Sequence, residues 1–198
     1  MAVHAEAHHG PPIANQSSRV DAPTLGMLLF IASEIMLFGS FFTVYFFVRV
    51  VNNAPEWPPP PFELPVFVAG VNTIILVTSS FTIHWALQGI KRGNRAALQA
   101  GLVLTIALGL TFLLTQAREY SRIGFAPHDG AFGSTFYGLT GLHGAHVFVG
   151  LTILTFAAIR AFRGHFTPEH HHGVEIAGIY WHFVDVMWIV VYTTVYIL

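Results

Sequence analysis

Apolar residues along this chain accumulate in five long runs that carry almost no charge, separated by short polar or proline-rich segments. The run Leu25–Val48, LGMLLFIASEIMLFGSFFTVYFFV, is twenty-four residues long and holds one ionisable side chain, Glu34. At a rise of ~1.5 Å per residue, a helix of that length crosses a hydrocarbon layer of roughly 30 Å. The pattern predicts five transmembrane helices, over about 22–50, 66–88, 96–116, 135–159 and 174–198. They form one all-α, polytopic membrane domain, 22–198, behind a polar, flexible N-terminal arm, 1–21. The breaks have local causes. Asp21, Pro23 and Thr24 suit a helix start. The prolines from Pro55 through Pro65 forbid helix. KRGNR (Lys91–Arg95), AREYSRIGFAPHDGAFGS and RAFRGHFTPEHHHG supply the other turns.

Composition supports this reading and removes others. The chain is 54% hydrophobic and 10% charged, against about 25% charged in a soluble domain. Nine Lys plus Arg and a net charge of -1 are too few for a nucleic-acid groove. There is no cysteine, hence no disulfide and no thiolate metal site. The arm has no positive segment followed by an apolar run and is not read as a signal peptide. Basic residues divide unequally between the two membrane faces: Arg19, Lys91, Arg92, Arg95, Arg160 and Arg163 on one, Arg49, Arg118 and Arg122 on the other. That excess predicts a cytoplasmic N-terminus and an outside C-terminus.

Candidate chemistry rests on polar residues within the spans. A carboxylate at the mid-depth of Glu34 costs at least ~2.5 kcal/mol. It is expected to be buried against other protein, as a proton site or as a helix-packing acid at a subunit contact. Beside it Gly26, Ser33 and Ser40 form a small-residue stripe of the kind that lets helices approach closely. His143 and His146, at i and i+3, share a helix face. They suit a metal or a hydrogen-bonded packing pair among Gly141, Gly144 and Gly150, and packing is the favoured reading. Glu175, His182 and Asp185 share a face of the last span, where a His–carboxylate pair suits structure first and proton handling second. His170, His171 and His172 lie near Arg160, Arg163 and His165. That cationic group suits an anionic lipid headgroup better than a metal. No role is assigned to His4, His8 and His9. Histidine spacings match neither a di-iron hydroxylase nor a di-haem cytochrome, so the chain is expected to hold no catalytic centre, metal or redox cofactor of its own.

Four strings together carry a resemblance: GMLLFIASEIMLFGSFF, LQAGLVLTIALGLTFLLTQAREY, DGAFGSTFYGLTGLHGAHVFVG and HHHGVEIAGIYWHFVDVMWIVVY. In order and spacing the chain resembles cytochrome c oxidase subunit III from about Gly26 to Leu198, in a short five-helix bacterial form; longer family members have seven helices. The resemblance implies a non-catalytic subunit of a proton-pumping oxidase in the bacterial inner membrane. Haem and copper would sit in partner subunits, with subunit I as the main contact and subunit II and other oxidase subunits nearby. It also implies bound phospholipid and leaves room for a respiratory supercomplex. By position, Glu34 matches the family's intramembrane glutamate toward subunit I, and His143 and His146 its paired histidines. His171 and Glu175 match residues opening the last helix. Arg160, Arg163, His165 and Thr167 match residues lining a lipid headgroup, and His171 and Glu175 join them as headgroup candidates. The alternatives are a subunit-III-like accessory of a nitric oxide reductase, told apart by its catalytic neighbour, and a small proton conductor using Glu34 and the His182–Asp185 face.

Overall fold

In the computed structural model, described for residues 21–52, 57–60 and 62–198, the five runs are five helices. They are α1 (Ala22–Asn52), α2 (Val66–Lys91), α3 (Arg95–Tyr120), α4 (Gly130–Phe162) and α5 (His172–Tyr192), the last continued by a π turn, Thr193–Ile197. Each is long and apolar enough to cross a membrane. The N-terminal arm, with Arg19, His4, His8 and His9, lies outside the described residues except for Asp21.

Several helices outrun the spans read from hydropathy. α4 begins at Gly130 instead of about 135, and α3 continues to Tyr120 instead of about 116. Hydropathy reports the length that suits lipid, whereas the backbone keeps its helical bonds through polar residues that propagate a helix well, such as Arg118 and Glu119. The starts follow local chemistry. Asp21 precedes α1, and its carboxylate accepts from the Thr24 backbone N–H at 3.4 Å. Asn94 caps α3 through Oδ1, which accepts from Ala97 N at 3.0 Å. Between α2 and α3 the chain reverses in three residues, and Gly93 takes φ +74°, a backbone that other residues rarely adopt.

Helices α2, α3, α4 and α5 enclose the core, and α1 lies outside it against α4 and α5. The closest approach is between α2 and α3. A Cβ on Gly89 would meet the Ala97 Cβ at 2.7 Å, and one on Gly101 the Ala86 Cβ at 2.6 Å. Small residues here bring two backbones together where lipid offers no hydrophobic drive for association. Helix α5 is the hub. Its Trp181 is fully buried and occupies a space left by two glycines: Cβ atoms on Gly109 and Gly150 would come within 2.5 and 2.8 Å of the indole. The indole N–H donates to Ser79 Oγ of α2 at 2.8 Å. Two turns further along the same face, Trp188 donates to Thr73 Oγ1 at 2.9 Å and packs on Phe112 and His143, each with ring centroids 4.8 Å away. The Ser and Thr residues of α2 thus satisfy the polar edges of α5.

The two ends of the bundle differ. The end where α1 begins gathers Lys91, Arg92, Arg95, Arg160 and Arg163 and is called the basic end below. At the far end, the segment after α1 is pinned by rings: Trp57 Nε1 donates to Tyr45 Oη at 2.8 Å, and Phe62 packs on Phe125 and Phe132 at 4.9 and 5.2 Å.

Candidate functional site

Glu34 and His146 meet across α1 and α4, with Glu34 Oε2 and His146 Nε2 2.8 Å apart. His146 lies at the midpoint of α4, and both side chains are mostly covered, 16% and 11% exposed. The other ring nitrogen, Nδ1, is 2.8 Å from the Leu142 carbonyl oxygen. A carbonyl only accepts, so Nδ1 carries hydrogen and donates. Nε2 and the carboxyl therefore share one further proton. Whether it resides on nitrogen or oxygen, the pair is neutral overall, which is how a carboxyl and an imidazole reside together at mid-depth without a net buried charge. Phe38 packs on the imidazole at 5.0 Å, and Tyr180 of α5 stacks on Phe30 at 6.2 Å.

The two histidines of α4 do not act as one pair. They are about 60° apart around the helix axis, and they address different helices. His143 is fully buried, and its Nε2–H donates to the Val184 carbonyl of α5 at 3.1 Å. Its Nδ1 has no hydrogen-bond partner among the described residues. The stripe Gly26, Ser33 and Ser40 is exposed rather than packed within this chain. A Cβ on Gly26 would meet nothing within 4 Å. Both hydroxyls fold back onto their own helix, to the Phe30 and Leu37 carbonyls at 2.6 Å.

On α5, His182 and Asp185 are joined through a third residue that sequence reading did not single out. The Ser80 hydroxyl of α2 donates to Asp185 Oδ2 and accepts from His182 Nδ1 at 3.0 Å. Asp185 is buried, and its Oδ1 has no partner among the described residues. His182 borders a cavity of about 460 Å³ at the basic end, lined also by Asp21, Thr24, His84 and Glu175. Hydrogen bonding from the Thr24 side chain, with the Thr24 backbone N–H adding to it, holds the Asp21 carboxyl below its ordinary value. The abundance of Ser and Thr in α2 was the available signal for Ser80; no spacing rule selects it.

The headgroup candidates lie together at the basic end but are engaged differently. Glu175 accepts from Lys91 Nζ at 2.9 Å, and His171 Nε2 and His172 Nδ1 lie 3.2 and 3.3 Å from its oxygens. Lys91 is the partner that sequence reading missed. Arg160 sits over the Phe166 ring, 5.3 Å from its centroid, and its carbonyl accepts from His165 Nδ1 at 3.3 Å. Arg163 is exposed at the end of α4. Thr167 Oγ1 accepts from His170 N at 3.2 Å. Arg160, Arg163 and His165 thus form an exposed cationic rim, while His171 and Glu175 tie the α4–α5 loop to the end of α2. No group of three or more His, Asp or Glu side chains able to hold a metal occurs among the described residues.

Comparison with known proteins gives a consistent result. A family model described as cytochrome c oxidase subunit III matches residues 14–198. The chain is 41% identical over 201 residues to cytochrome c oxidase subunit 3 of Oryctolagus cuniculus, a match covering 96% of this chain and 73% of that protein. It is 39% identical over 200 residues to the Homo sapiens protein of the same name, with the same coverage. It is 40% identical over 179 residues to that of Thermostichus vulcanus, covering 90% of this chain and 88% of that protein.

Proposed function

The chain belongs to the cytochrome c oxidase subunit III family, a multi-pass membrane subunit of the oxidase, and from that footing we propose what this subunit does within the complex. It is a non-catalytic partner that steadies subunit I, with α1 as the contacting helix. It also holds anionic phospholipid at the basic end and supports proton uptake there. Haem and copper belong to the partner subunits, among them subunits I and II. The excess of Lys and Arg at the basic end supports a cytoplasmic N-terminus and a C-terminus on the outer side of a bacterial inner membrane.

The observation that carries this reading is the Glu34–His146 contact at the edge of a largely uncovered helix. A carboxyl that is one-sixth exposed at mid-depth suits a protein neighbour better than open lipid. The small-residue stripe beside it permits that neighbour to come close. The cationic rim of Arg160, Arg163 and His165 has the charge and the depth of an anionic headgroup site.

The test uses the purified oxidase complex. Glu34→Ala is expected to leave haem content unchanged while weakening retention of this subunit or shortening the working life of the enzyme. Unchanged retention together with an unchanged turnover lifetime overturns the assignment of Glu34.

A further inference from the structure

Two open grooves at the far end meet at Val66. The first, of about 620 Å³, is lined by Trp57, Phe62, Glu63, Val66 and Tyr196. The second, of about 570 Å³, starts at Val66 and runs down α2 past Phe67, Gly70 and Ile74, with Tyr192 of α5 as its other wall. Tyr192 and Tyr196 stack at 5.6 Å, so the walls are continuous as well. Val66 to Ile74 spans roughly 12 Å of helix, which carries the second cavity from the end of the bundle well into the hydrocarbon layer.

The chemistry changes along this length. The upper part is an open groove bordered by three aromatic rings and one carboxylate. The rings are held from behind by other rings: Trp57 by Phe132 at 5.3 Å and by its bond to Tyr45, and Phe62 by Phe125 at 4.9 Å. Glu63 is exposed, and no ion pair among the described residues engages it. Ring faces with a carboxylate attract an alkylated ammonium group, because the ring quadrupole and the charge act in the same direction. The lower part is apolar. At Gly70 the trough is deepened by the missing side chain, since a Cβ there would meet Tyr192 Oη at 3.1 Å.

We infer that this continuous groove is a binding site for a zwitterionic phospholipid of the outer leaflet, its ammonium headgroup held by Trp57, Phe62, Tyr196 and Glu63 and one acyl chain lying along Gly70 and Ile74. The charge logic is opposite to that of the cationic rim at the basic end, which takes an anionic headgroup. The two sites are therefore separable by lipid class and by residue.

The test is native mass spectrometry of the purified oxidase complex after stripping and exchange into nanodiscs of equal phosphatidylcholine and phosphatidylglycerol, and again with phosphatidylethanolamine in place of the choline lipid. The wild-type complex is expected to retain one ammonium-headgroup lipid that Glu63→Gln loses by about fivefold, the scale of a single partly exposed ionic contact. Glu63→Lys is expected to turn the site toward phosphatidylglycerol, and Gly70→Leu to lower retention by filling the trough. Arg163→Gln serves as the contrast: it is expected to reduce retained phosphatidylglycerol alone, so failure of the basic-end reading and failure of this one remain distinct. Retention that is equal for all three lipids, or unchanged in both Glu63 variants, marks annular lipid only and overturns the site.

Discussion

Helices α1 and α5 are both membrane spans, yet they live in different surroundings. In the most apolar stretch of α1 only 6% of residues are buried within the chain, against 61% in α5, although α1 is the more apolar of the two. In water that order would be reversed. In lipid, apolar side chains gain nothing by leaving one hydrocarbon environment for another, so apolarity does not select which helix is central. What selects α5 is its supply of polar groups turned into the bundle. Trp181, Trp188, His182 and Asp185 each need a partner that lipid cannot offer, and Ser79, Thr73 and Ser80 of α2 supply it. Helix α1 carries fewer such needs: Glu34 is met at His146, and the Tyr45 hydroxyl accepts from Trp57 outside the helical core.

The largest effect is expected where α5 is most deeply set. Trp181→Ala removes a fully buried ring from the space between Gly109 and Gly150 and leaves Ser79 Oγ without its donor. A loss of about 3–5 kcal/mol is expected from a deletion of that size, read as unfolding in mixed detergent micelles and as loss of the subunit from the complex. A value below about 1 kcal/mol would mean that α5 is not the hub. Next comes Ser80→Ala, which strips the hydroxyl that joins His182 to Asp185. It leaves a buried carboxyl with fewer partners, at about 1–3 kcal/mol. The pair Ser80→Ala with Asp185→Ala is expected to lose less than the sum of the two, since the second change removes the group that the first one orphans.

On α1 the same style of change gives a smaller loss with a different signature. Interhelical hydrogen bonds in membrane proteins are worth about 0.6 kcal/mol on average and up to about 1.7. Glu34→Gln and His146→Ala are each expected to fall in that range, with a coupling of similar size between them in a double-mutant cycle. Because Phe38 and Tyr45 are the fully buried side chains of α1, the consequence is confined to that helix. Hydrogen exchange in the chain outside the complex is expected to rise in α1 while α2 to α5 stay protected. A rise spread evenly over all five helices would erase the distinction between an added helix and a core.

The sequence pattern carried the fold well and the site unevenly, for physical reasons. Five charge-poor runs have one solution in a bilayer, because only a helix or a closed barrel satisfies its own backbone there and these runs are about twice the length of a barrel strand. Glu34 was legible because a lone acid in such a run is costly wherever it points. Its partner was not, since His143 and His146 look equivalent on one helix and only the placement of α1 and α5 separates them. Ser80 and Lys91 were missed for a related reason. A serine in a Ser-rich span and a lysine in a basic turn are ordinary by themselves, and they acquire roles from residues 105 and 84 positions away. The outward face of Gly26, Ser33 and Ser40 differs from the close approach that such a stripe suggests, because the helices of this chain meet α1 on its other side.

The smallest effect is expected at the basic end, and it tests whether the ends or the middle hold the helices in place. Lys91→Ala removes the ammonium group from Glu175 but leaves His171 and His172 beside the carboxylate. The Lys91 side chain is 48% exposed, so water and salt screen the contact, and a loss of about 0.2–1 kcal/mol is expected. Raising ionic strength to 1 M shortens the screening length to about 3 Å and is expected to shrink the difference between variant and parent further. Ser80→Ala, buried between α2 and α5, is expected to lose as much stability in high salt as in low. If Lys91→Ala instead matched Ser80→Ala in size and ignored salt, the clasp at the bundle's end would be holding α2 against α5. The polar contacts at mid-depth would then be a consequence of that arrangement rather than its cause.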